Sequence, residues 1–170
     1  MQPGVVVFAI GNRSRGDDAI GPLLLERLAP WLEAESQAGG FELIDDYQLQ
    51  IEHALDLRGR RLALFIDAGS ATQAPFCFYS AGTAAPATSS STHALPPEGV
   101  LDVYRKFEGL EPPPCFVLCV RGEQFELGEG LGVRAKSHME AAWRHLTLLC
   151  RHPDAARWRS LANNSTPGAA

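Results

Sequence analysis

Two carboxylates and an imidazole that meet at one rim can hold a divalent metal, and this chain offers such a set. Asp17-Asp18 follow the apolar run 5–10 by a short polar loop, Asp67 closes the apolar run 61–66, and His93 stands beyond a later strand signal. Oxygen, oxygen and nitrogen donors suit a borderline divalent ion and leave positions open for water or substrate. Zinc, nickel, manganese and iron all fit that donor set. The cysteines, at 77, 115, 119 and 150, lie elsewhere in the sequence, so a thiolate structural site is disfavoured.

The chemistry is plausible only if the chain brings these residues together. Val5-Val6-Val7-Phe8-Ala9-Ile10 reads as a strand buried on both faces, as in a parallel sheet. A helix follows from Gly21-Pro22, with Leu24, Leu28, Trp31 and Leu32 on one face. Residues 41–44 form a second strand, 49–57 a short helix and 61–66 a third strand. Alternating strands and helices of this kind build a doubly wound sheet with right-handed crossovers. Further strands are expected at 76–79 and 115–120, and helices from Pro97 and over 137–150. The expected fold is α/β: a three-layer α/β/α sandwich around a mostly parallel twisted sheet of about five strands. Residues 1–155 read as one domain and 156–170 as a frayed tail. Residues 81–92, rich in Gly, Ala, Pro, Ser and Thr, read as a flexible loop that delivers His93.

In such sheets ligands bind beyond the carboxyl ends of the strands, near the reversal of strand order. The loops after strands one and three open there, which gathers Asp17-Asp18 with Asp67, and His93 reaches the same rim. Each residue also has a structural reading. Asp17 or Asp18 can cap the following helix through backbone N–H groups, and one can cap while the other ligates. Asp45-Asp46 can line the crevice or shape a turn. His53, His138, His145 and His152 read as helix-surface or core-margin residues.

Other classes fit less well. The loop 11–16 lacks the spacing of a dinucleotide-binding glycine motif, and its acids would repel a pyrophosphate. There is no Walker lysine, no G-x-S-x-G elbow and no H-E-x-x-H. A formal net charge of −5, with no long basic run, argues against a nucleic-acid surface. At 45% hydrophobic and 21% charged residues the composition is that of an ordinary globular chain. No apolar run reaches the ~18 residues of a membrane span. Met1-Gln2-Pro3-Gly4 does not look like a signal peptide, so a cytoplasmic protein with reduced, buried cysteines is expected.

The segment Gly11-Asn12-Arg13-Ser14-Arg15-Gly16-Asp17-Asp18-Ala19-Ile20-Gly21 resembles the opening motif of the nickel–iron hydrogenase maturation endopeptidases, roughly G-N-x-x-x-x-D-[DE]-G-x-G. The resemblance runs from about residue 5 to 150. Asp18 falls on the family's acidic metal ligand. Asp67, in Phe65-Ile66-Asp67-Ala68, falls on the second ligand, and His93, in Ser91-Thr92-His93-Ala94-Leu95, on the third. Leu127-Gly128-Glu129-Gly130-Leu131 looks like the late loop before the last helix. Departures are Ala9 and Ala19 for glycines, the basic Arg13 and Arg15, Arg121-Gly122-Glu123-Gln124-Phe125 for an apolar loop, and Asp45-Asp46-Tyr47-Gln48 for a glycine-rich one. They suggest a subgroup serving soluble, cofactor-reducing hydrogenases.

The resemblance implies a metal-dependent endopeptidase, acting as a monomer on the hydrogenase large-subunit precursor. It would remove the C-terminal extension after nickel insertion, with the nickel supplied by the precursor and met by Asp18, Asp67 and His93. An alternative role makes one carboxylate a general base. Competing readings are a related peptidase or amidohydrolase acting on another protein, a non-proteolytic chaperone for the precursor, and a nucleotide-binding domain.

Overall fold

The computed structural model describes residues 1–82 and 95–165. Five strands, β1 (Val5–Ile10), β2 (Phe41–Asp46), β3 (Leu62–Gly69), β4 (Phe76–Ser80) and β5 (Cys115–Arg121), form one sheet in the order β2-β1-β3-β5-β4. β2, β1, β3 and β5 run parallel, and β4 pairs antiparallel with β5 at the edge. The helices are α1 (Ile20–Ala34), α2 (Pro97–Glu108), α3 (Val133–Arg151) and α4 (Ala155–Ser165), with short 3₁₀ segments at Gly16–Ala19, Ala38–Gly40 and Ile51–Leu57. This is the expected α/β/α sandwich.

Strand alternation sorts the core into two layers. Val5, Val7, Leu64, Ile66, Phe116 and Leu118 face a cluster shared with α1, α3 and α4. Val6, Phe8, Ala63, Phe65, Val117 and Cys119 face the opposite layer, with Leu57 and α2 residues Val100, Leu101 and Tyr104. Because both faces are covered, β1 is buried at every position, which is why it reads as an unbroken apolar run.

α1 starts earlier than its sequence signal. Pro22 is its third residue, where the missing N–H has no intrahelical acceptor to lose. Gly21 lets this end of α1 sit on the sheet: a Cβ there would lie 2.7 Å from the Ile10 carbonyl oxygen and 3.1 Å from that of Ile66. The carboxyl ends of β1 and β3 and the start of α1 therefore meet at one point.

Residues 155–165 are helical. They belong to α4, whose Trp158 is fully buried against Phe78 and Phe116 and donates its indole N–H to the carbonyls of Leu149 at 3.0 Å and His152 at 3.2 Å. The polar composition of this segment hides a single aromatic anchor. The loop expected at 81–92 lies almost entirely outside the described residues. Among the described residues no helix is long and apolar enough to cross a membrane.

Candidate active site

β1 ends at Ile10, and Gly11, which follows it, has φ +151° and a position where a Cβ would run into the backbone carbonyl of Asp18. The loop thus folds back tightly on the strand end, a path open to glycine and strained for other residues. Asn12 secures the turn. Its side-chain oxygen accepts the Ser14 N–H at 2.8 Å, and its own backbone N–H donates to Asp18 Oδ2 at 2.7 Å. Arg13 reaches outward to Glu26 at 2.6 Å and Asp45 at 2.8 Å, linking the loop to α1 and the end of β2. The basic residue thus has acidic partners on two elements.

Asp17 and Asp18, adjacent in sequence, do different work. Neither caps a helix: the 3₁₀ turn and α1 both lack a side-chain cap. Asp17 is 1% exposed and accepts three backbone N–H groups from the far end of the chain. They are those of Glu123 at 2.8 Å, Gln124 at 3.0 Å and Gly132 at 2.9 Å. Its backbone N–H also donates to the Gln124 carbonyl at 2.7 Å, and Gly16 and Gly128 add bonds to Glu129 and Ser14. Asp17 is a buried clip between two loops. The sequence signal for it, an acid beside the ligand candidate, was visible; its partners more than 100 residues away were not.

Asp18, fixed by the Asn12 N–H, is near enough to act on Asp67 electrostatically. Asp67 is the sixth residue of β3, on the strand face that looks toward α2, and its Oδ1 accepts the Ala68 N–H at 2.8 Å. Burial pushes its carboxyl up to about 8, against the lowering effect of Ala68, and the Asp18 charge adds to the rise. The two lie at the switch point between β1 and β3, where the Asp18 charge disfavours ionisation of Asp67. A cation between them would relieve both the desolvation and the repulsion. His93 lies outside the described residues, and among those described no three acidic, cysteine or histidine side chains converge as a metal cluster.

One expectation needs correction. The cysteines are not all remote from this rim, because β5 lies directly beside β3 and pairs Cys119 with Asp67, while β4 pairs Cys77 with Cys119. The crossover that inserts β5 next to β3 could not be read from spacing. Asp46, at the end of β2, meets His53 Nε2 at 3.3 Å, and His53 Nδ1 accepts the Gln50 N–H at 2.8 Å. That acceptor role places the proton of neutral His53 on Nε2, facing Asp46. Gly11, Arg13, Asp45, Asp46 and Tyr47 line a cavity of about 240 Å³ on this side of the loop.

No family model matches the chain, and no curated protein matches it. Solved structures do. The hydrogenase maturating endopeptidase HybD from E. coli superposes with a TM-score of 0.68 at 22% identity, over 90% of this chain and 94% of that one. This chain has the fold of the hydrogenase maturation endopeptidases. The NiFe hydrogenase maturation protease HycI from Thermococcus kodakarensis gives 0.64 at 20% identity, over 87% and 92%. Endopeptidase HycI from Escherichia coli gives 0.64 at 20%, over 88% and 91%. The maturation-endopeptidase fold thus spans nearly the whole of this chain and of each neighbour.

Proposed function

We propose that this chain is a cytoplasmic endopeptidase that removes the C-terminal extension of a nickel–iron hydrogenase large-subunit precursor once nickel has been inserted. The observation that carries this reading is the convergence of Asp18 and Asp67 at the carboxyl edge of a sheet shared with the maturation endopeptidases. The sequence resemblance supplies His93 as the third member.

The nickel belongs to the substrate in this scheme. Asp18, Asp67 and His93 would meet it, and the donor chemistry fits: two carboxyl groups, one of them held back from ionising by burial and by the other's charge, plus an imidazole. Bound there, the ion supplies Lewis acidity toward the scissile carbonyl or a water. The chain's own residues do the rest. The Asn12 N–H fixes Asp18, and the Ala68 N–H fixes Asp67. Asp67, whose carboxyl is pushed up to about 8, would act as a base toward an attacking water once a cation beside it brings that value down.

Modest affinity for free metal follows from so open a set, which ties recognition to a correctly assembled precursor. Metal-free enzyme should cut nickel-loaded precursor and leave the nickel-free form whole. Mass spectrometry of the released peptide reads the cut. Efficient cutting of metal-free precursor by metal-free enzyme overturns the metal-recognition step. Binding of loaded precursor with no change in its length would favour a chaperone role instead.

A further inference from the structure

Cys77 and Cys119 stand directly opposite one another across the antiparallel β4–β5 ladder. Opposed residues in such a ladder have Cα atoms about 4.5 or 5.5 Å apart, depending on the hydrogen-bonding position. Both values fall within the ~4.4–6.8 Å that a disulfide spans. Both side chains face the layer that contains α2. Cys119 is buried, with its sulfur 3.0 Å from Thr72 Oγ1, whereas Cys77 is half-buried on the edge strand. A hydrogen bond with Cys119, outweighing burial, holds the Cys77 thiol below its ordinary value. Cys115 and Cys150 show the contrast: both are buried, and burial pushes each up to about 12. Nothing in the proposed peptidase chemistry uses the pair, and the inference stands independently of that reading.

We propose that Cys77 and Cys119 form a reversible dithiol–disulfide pair, with Cys77 the attacking sulfur and Cys119 the resolving one. The oxidant class is a low-molecular-weight disulfide, RSSR. The Cys77 thiolate attacks one sulfur of RSSR; the old S–S bond breaks, a Cys77–SR bond forms and RS⁻ leaves. The Cys119 thiol, giving up its proton to the released RS⁻, then attacks the Cys77 sulfur and displaces the second RS⁻. The protein loses two thiol protons and two electrons, and one RSSR becomes two RSH. The new bond ties edge strand β4 to β5 beside Asp67 and draws the Cys119 sulfur from Thr72.

The test uses the folded full chain with glutathione disulfide, followed by alkylation under native conditions and peptide mapping without reduction. Wild type should yield a cross-linked peptide pair joining positions 77 and 119, reversed by dithiothreitol, with Cys115 and Cys150 alkylated. Cys119→Ser should stop at a glutathione adduct on Cys77, and Cys77→Ser should leave Cys119 free. Circular dichroism checks that both variants fold. Wild type that halts at the Cys77 adduct with Cys119 free overturns the proposal. So does a cross-link that forms only in denaturant, or wild type that stays fully reduced while Cys119→Ser accumulates adduct.

Discussion

At the scale of single residues, three aspartates carry the argument and divide by environment. Asp67 is costly where it stands: its raised carboxyl means that the folded chain holds a proton the unfolded chain releases. Stability from this group is therefore lost as pH climbs from the ordinary carboxylate range toward about 8. Asp67→Asn should then melt no lower than wild type near neutral pH while failing to process precursor. Asp18→Ala should fail in the same assay with its circular dichroism spectrum unchanged. An active variant at either position removes that residue from the mechanism. Asp17→Ala should behave in the opposite way. It strands three backbone N–H groups that now meet a buried carboxylate, so urea unfolding should register a loss of about 2–3 kcal/mol. A loss near that of a surface cap, about 1 kcal/mol, would contradict the clip.

At the scale of elements, α3 rests on the edge strand through a histidine. His145 packs against the rings of Phe76 and Phe78, with centroids 5.0 and 4.9 Å away, and among the described residues its Nε2 has no hydrogen-bond partner. Burial lowers its value from 6.5 to about 4. The unfolded chain takes up this proton as pH falls through about 6.5, and the folded chain resists until about 4. Stability is thus full above that window and declines within it, by at most ~1.4 kcal/mol per pH unit. His145→Leu should flatten the decline in urea midpoints measured across the window. An unchanged slope would show that acid sensitivity arises elsewhere.

At the scale of the whole molecule, the last helix closes one layer over the β4–β5 side of the sheet. Trp158 is its anchor, lying edge-on to Phe78 and Phe116. Trp158→Ala should cost about 3–5 kcal/mol, the range for emptying a buried aromatic site. Trp158→Phe should cost less, retaining most of the ring packing while giving up the indole bonds. Equal unfolding midpoints for wild type and the alanine variant would mean that α4 is dispensable to the fold.

The sequence by itself determined the strand–helix alternation, the parallel center of the sheet and the convergence of the loops after β1 and β3. These follow from local patterns: β1 and β5 are unbroken apolar runs because both faces of each are covered, and the turn at Gly11 needs a residue without Cβ. Asp67 stands out in the sequence as an acid where an apolar run stops, and Asp18 as an acid in the short loop that follows another. Long-range pairing was not legible. Asp17 looked like a cap because its three partners come from residues 123–132. Cys119 looked remote from Asp67 because only the crossover sets β5 against β3. The tail looked frayed because the stripe that docks it, Ala155, Trp158, Leu161 and Ala162, is short and mostly of small residues. Such contacts are decided by strand order and docking, and neighboring residues in the chain carry no record of them.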